Sequence, residues 1–103
     1  MGTPNPQSVS EIETVEDVAL PKRFKVLLHN DHYTTMEFVV EILEHVFRRS
    51  PAEAIRIMLE VHHNGVGVAG VYPAQIAEMK IETVHARAEA EGYPLKCSME
   101  PES

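Results

Sequence analysis

The sequence predicts an α+β fold, a two-layer sandwich in which a three-stranded antiparallel sheet packs on three helices in the order β-α-α-β-α-β. Three observations lead there. Apolar residues alternate with a period of two over residues 24–29 and 95–99, and valine alternates with glycine over residues 66–72, as in short strands buried on one face. Three further stretches carry apolar residues at helical spacing, each opened by a capping signature or a proline. The whole is 103 residues with 44% hydrophobic content, the size of one domain, and strands this short need helices to cover one face.

Residues 1–20 are rich in Pro, Ser, Thr and acids, with scattered single hydrophobes that cannot offset the entropy of ordering. A disordered acidic arm is expected there, with the folded domain over residues 21–103. Phe24, Val26 and Leu28 then alternate with Lys25, Leu27 and His29 as the first strand. Asn30, Asp31, His32 and Tyr33 break it, and Thr34 with Glu37 fits a capping box for a helix from Thr35 to about Arg49. Val39, Ile42, Leu43 and Val46 form its inward stripe. Ser50, Pro51 and Glu53 repeat the start signal, Ala54, Ile57, Met58 and Val61 line the next helix, and Asn64-Gly65 stops it. After the second strand, Pro73 opens a third helix with Ile76, Met79 or Lys80, Val84 and Ala88 on its core face. Gly92 and Pro94 close it, and Leu95, Cys97 and Met99 alternate as the last strand.

The net charge of -7 disfavours partners that are themselves polyanions, nucleic acid and anionic membrane alike. Residues 1–20 carry four carboxylates (Glu11, Glu13, Glu16, Asp17) and no base, so the rest of the chain is nearly balanced. The single cysteine, Cys97, allows no internal disulfide and fits a reducing compartment. The start has neither a basic region nor an apolar core of a secretory signal, and no apolar run approaches the roughly 18 residues of a membrane span. A cytoplasmic monomer is expected.

A domain this small hides only about 60–70% of its chain's surface, which favours a surface groove over a deep active-site cavity. Six histidines include His29-x-x-His32 and adjacent His62-His63, yet none of these pairs has the i, i+4 spacing of a helical metal site. Cys97 stands in an apolar alternation that suits an inert thiol, and neither a nucleophile elbow nor a phosphate-cradling glycine loop is present. No catalytic residues, cofactor or metal site are expected. What remains is a pair of groups able to face one groove: Asn30, Asp31 and Thr34 at the strand-to-helix turn, and Met58, Val61 and His62 on the second helix. Met58, Val61 and His62 share a helical face at i, i+3, i+4, so an apolar floor would end in a polar rim.

Several separated segments together resemble the ClpS family of adaptors for the ATP-dependent Clp protease. They are His29-Asn30-Asp31-His32-Tyr33-Thr34-Thr35-Met36-Glu37-Phe38-Val39, Met58 through Gly65, Gly70-Val71-Tyr72, Ala77-Glu78-Met79-Lys80 and Pro94-Leu95-Lys96-Cys97. The resemblance spans Pro21 to about Glu100. It implies a non-enzymatic carrier that binds N-degrons, proteins beginning with Leu, Phe, Tyr or Trp, and delivers them to a Clp unfoldase, with the arm serving delivery. It further implies that Asn30 and His62 hold the substrate's α-amino group with His32 beside them. Asp31, Thr34, Met36, Val39, Met58, Val61 and Leu95 would line or gate the side-chain pocket, and Gln75 and Lys80 would contribute to docking on the N-terminal domain of a ClpA-type ATPase.

Two residues depart from the pattern that the resemblance implies. His32 stands where many relatives carry an acid that attracts the substrate ammonium, and Gln75 stands where a Glu is common. An imidazole cannot act as an anion, so weaker or more pH-sensitive capture is expected. Two other readings accompany the adaptor. One is a small metal-binding or sensor domain built on His29, His32, His62 and His63; the other is a structural module, because the element order also resembles the C-terminal domain of the ribosomal stalk protein, and fold does not fix function.

Overall fold

The computed structural model of the chain describes residues 22–103. The arm expected at residues 1–20 lies outside the described residues. The elements run β1 (Arg23–His29), α1 (Met36–His45), α2 (Pro51–Asn64), β2 (Val66–Pro73), α3 (Ala74–Glu91) and β3 (Lys96–Pro101). All three strands are antiparallel in the order β2-β1-β3, so β1 is the central strand. This is the predicted α+β order, with the helices on the face that Val26 and Leu28 enter.

Val26 and Leu28 are fully buried, and Ile42, Leu43, Ala54, Ile57, Ala69, Ala77 and Val84 join them in one core. At about 1.5–3 kcal/mol for each large aliphatic side chain removed from water, this face holds the layers together. No polar or charged residue is buried among the described residues. Gly67 lets β2 approach α2: a Cβ there would stand 2.8 Å from Val61 Cγ2 and 3.3 Å from the Ile57 carbonyl oxygen. Between Val26 and Leu27 the pairing with β2 shifts by one residue, leaving Ala69 as the bulge, and Arg49 Nε donates to its carbonyl at 2.8 Å.

Three sequence expectations need correction. The cap of α1 is Thr35, whose hydroxyl oxygen accepts from the Phe38 N–H at 3.1 Å. Thr34 is drawn back to Asp31 instead, so the box expected between Thr34 and Glu37 does not form. The helix then ends at His45, earlier than Arg49, because the Arg49 N–H reaches the Leu43 carbonyl at 3.0 Å and Arg48 turns left-handed at φ 57°. On α3 the buried stripe is Ala77, Val84 and Ala88, whereas Ile76 and Met79 are exposed. Small alanines let α3 sit close to the sheet and rotate its larger apolar residues outward.

Candidate functional site

The turn after β1 and the end of α2 are joined by a backbone bond, in which the Asn30 N–H donates to the Gly65 carbonyl at 2.9 Å. Gly65 ends α2 in the left-handed conformation at φ 88°, a backbone that suits glycine. His62 lies within the last turn of the same helix. The tie therefore brings Asn30 and His62, 32 positions apart in the chain, to the mouth of one groove.

Asp31 shapes the other wall. Its Oδ1 accepts from the N–H groups of Tyr33 and Thr34, each at 2.7 Å, and its Oδ2 accepts from the Thr34 hydroxyl at 2.8 Å. Burial pushes this carboxyl up, but the hydrogen bonds from Thr34 and Tyr33, aided by the neighbouring His32 charge, outweigh it and hold it below its ordinary value of 3.8. Asp31 is thus an ionised, fixed group at neutral pH. Among the described residues it is also the only carboxylate that lines the groove.

The resulting cavity has a volume of about 240 Å³. Its rim is polar, with Asn30, Asp31, His32, Thr34 and His62, and its floor is apolar, with Met36, Val39, Met58 and Val61. Val39 and Val61 are buried at 6% and 2% exposure, whereas Met36, at 43%, stands at the opening. Stiff branched walls below and flexible thioethers above make a slot of fixed depth with an adjustable mouth. Of the expected pocket residues only Leu95 lies apart: it is buried in the core and does not line this cavity.

The remaining candidates lie elsewhere. Gln75 is exposed on the first turn of α3. Lys80 is half-buried, its ammonium donating to the Val46 carbonyl at 2.8 Å and standing 5.3 Å from the Tyr72 ring centroid, where it satisfies the end of α1. Of the two residues that periodicity offered for this inward position, Met79 or Lys80, it is Lys80 that turns in; its partner at a distant helix end is a tertiary matter that periodicity does not carry. Of the histidines, the His29 ring pairs with the Ser98 hydroxyl at 2.7 Å, and His85 Nε2 accepts the Cys97 N–H at 3.0 Å. Among the described residues no three His, Cys, Asp or Glu side chains converge as a metal site would require. Cys97 is buried, and desolvation pushes its thiol up to about 12, far from a reactive thiolate. Among the described residues no helix is long and apolar enough to cross a membrane.

Comparison with known proteins places this geometry in a family. The sequence profile described as "ATP-dependent Clp protease adaptor protein ClpS" matches residues 19–98. The chain is 66% identical over 90 residues to the ATP-dependent Clp protease adapter protein ClpS of Desulfatibacillum aliphaticivorans, covering 87% of this chain and 86% of that one. It is 53% identical over 94 residues to the protein of the same name from Myxococcus xanthus, covering 91% and 88%. Among solved structures, Agrobacterium tumefaciens ClpS2 bound to L-phenylalaninamide superposes with a TM-score of 0.77 at 40% identity, over 80% of this chain and 99% of that one. With a family profile matching residues 19–98 and relatives 66% and 53% identical over most of their own length, this chain belongs to the ClpS family of ATP-dependent Clp protease adaptor proteins.

Proposed function

We propose that this chain recognises proteins by a free N-terminal residue with a γ-branched or aromatic side chain, namely Leu, Phe, Tyr or Trp, and delivers them to a Clp ATPase. The observation that carries this reading is the union of Asn30, Asp31 and His62 with Met58 and Val61 around one small cavity. Its 240 Å³ falls below the roughly 300–1,000 Å³ of pockets for drug-sized ligands, so it suits one side chain and an amino group. L-phenylalaninamide, the ligand of the Agrobacterium relative, has that chemistry: an aromatic side chain, a free α-amino group and an amide in place of the carboxylate.

An α-amino group with a pKa near ~8 is mostly cationic at neutral pH, so it donates three hydrogen bonds and seeks acceptors. The Asn30 side-chain oxygen and a neutral His62 imidazole supply two, and ionised Asp31 makes the rim negative. His32 takes part at the rim without contributing an anion. Acetylation of the terminus would remove its charge and two donors, leaving acceptors unpaired at a cost of about 1–3 kcal/mol each. Branching at Cβ would crowd the slot against Val39 and Val61, which rejects Ile and Val by shape.

Asn30, Asp31, His32, Thr34, Met36, Val39, Met58, Val61 and His62 are therefore the degron site, with Leu95 supporting it from the core. Gln75 and the α3 surface beside Lys80 form the docking face for the N-terminal domain of a ClpA-type ATPase. The chain acts as a cytoplasmic monomer without catalysis of its own; the bond-breaking belongs to the protease. Delivery is tested by the loss of fluorescence of a Leu-first fluorescent protein incubated with ATP, a ClpA-type ATPase and its peptidase. Faster loss with this chain, and none with Asn30→Ala/His62→Ala, is the expected result. A rate indifferent to the chain would overturn the reading.

A further inference from the structure

Helix α3 carries a second surface that the degron groove does not use. Ile76 and Met79 are 44% and 64% exposed, although the core stripe of the helix is already complete without them. Together with Thr83 and Arg87 they follow one flank of α3 at helical spacing. Facing that flank is the end of α1, and between the two opens a cleft of about 280 Å³.

The charge of this cleft runs against that of the molecule. Arg48, Lys80 and Arg87 line it, and no carboxylate does, in a chain whose net charge is -7. At about 100° per residue, Glu78, Glu82 and Glu89 fall on the far side of α3 from Ile76 and Arg87. Among the described residues neither Arg48 nor Arg87 takes part in an ion pair. Arg48 reaches the cleft from a left-handed backbone at φ 57°, where glycine would sit without strain. A cationic, partly apolar cleft with two uncommitted guanidinium groups suits an acidic segment that also carries aliphatic side chains.

The chain contains such a segment. Residues 9–20 read Val-Ser-Glu-Ile-Glu-Thr-Val-Glu-Asp-Val-Ala-Leu, with Ile12, Val15 and Val18 three apart and all four carboxylates of the arm between them and beside them. Its attachment point is also on the page. Arg23, the first residue of β1, pairs with Pro73, the last residue of β2, and α3 begins at the next residue. Ile76 then lies within about 5 Å of rise from Pro73, and Arg87 about 16 Å further along the helix. Twelve residues can span up to about 40 Å, enough to follow the whole cleft.

We propose that residues 9–20 dock into this cleft of the same chain, with Ile12, Val15 and Val18 against Ile76 and Met79 and the arm's carboxylates on Arg48 and Arg87. A short tether gives an effective concentration of about a millimolar, so a weak site suffices. The contact is screened by salt, since the Debye length falls from about 30 Å at 0.01 M to about 3 Å at 1 M. The cleft shares Lys80 with the face proposed for unfoldase docking, so an arm seated in it and a docked unfoldase would compete for that surface, and the test below reads the arm alone.

The test uses the full chain, ¹⁵N-labelled, with a nitroxide attached at Thr14→Cys; buried Cys97 is far less reactive toward the label. At low salt the amides of Ile76, Met79, Thr83 and Arg87 are expected to lose at least about half their intensity, with recovery near 1 M salt. Combining Glu11→Gln, Glu13→Gln, Glu16→Gln and Asp17→Asn leaves the folded domain unaltered and is expected to abolish the effect. Arg48→Gly with Arg87→Gln is expected to reduce it severalfold. Broadening spread evenly over the surface, or unchanged by these substitutions, would overturn the proposal. So would broadening that is as strong in an isotope-labelled chain mixed with a separate nitroxide-bearing chain, which would make the occupant a second copy.

Discussion

Asp31 and His32 sit side by side at the rim of the proposed degron groove, and only the first of them supplies an anion there. Because the folded-state carboxyl of Asp31 lies below its ordinary 3.8, its contribution to stability is complete above that value and is lost as the pH falls through the lowered one. Acid unfolding followed by circular dichroism should therefore begin at higher pH in Asp31→Ala, which should also be less stable by about 1–2 kcal/mol at neutral pH through loss of the turn's hydrogen bonds. An unchanged acid limb in that variant would contradict the assignment. His32 stands beside the expected position of the substrate ammonium and supplies no anion there. His32→Asp should tighten binding of a Leu-first peptide several-fold at neutral pH in a direct titration; an unchanged affinity would mean that this position does not face the substrate ammonium. These residues were legible in the sequence because their chemistry is local: an Asx turn before a helix, and three side chains at i, i+3, i+4. The exchange of Thr34 for Thr35 as the cap was not, because either threonine satisfies the pattern and the choice depends on where the Asp31 carboxylate is held.

At the scale of elements, two backbone positions decide how well the groove is formed. Gly67 allows β2 to press on α2, and the nearest obstacle to a Cβ is Val61, a stiff side chain that is itself the floor of the pocket. Gly67→Ala should cost about 1–3 kcal/mol in chemical denaturation and weaken peptide binding as Val61 is displaced. A stable variant with normal affinity would show that the floor is set elsewhere. Arg48 is the converse case, a strained residue at the end of α1. Arg48→Gly should raise stability by about 1 kcal/mol while leaving degron affinity unchanged, since Arg48 does not line that cavity. The order of elements and most of their boundaries could be read from alternation, proline and glycine. The facing of α3 could not: periodicity offered Ile76 and Met79 as core candidates, and only the close approach of Ala77, Val84 and Ala88 to the sheet decided against them. Lys80 was legible as a cation on a helix but not as the cap of another helix.

For the molecule as a whole, the division of labour follows from where charge and apolar surface are placed. One core joins all three helices to one face of the sheet, which leaves the proposed degron groove at one end of α2 and the basic cleft between α1 and α3 as separate surfaces. A site that reads a free amino group by acceptors and a side chain by shape needs both halves at once, and the Asn30–Gly65 backbone bond is what joins them. The most direct measurement is fluorescence anisotropy with a Phe-first peptide, its N-acetylated twin and an Ile-first peptide, for the unsubstituted chain and for His62→Ala. Micromolar or tighter binding of the first peptide alone, weakened at least about tenfold in His62→Ala, is the predicted result, a tenfold loss corresponding to about 1.4 kcal/mol. Equal affinity for all three peptides, or a His62→Ala variant that binds as well as the parent, would contradict it.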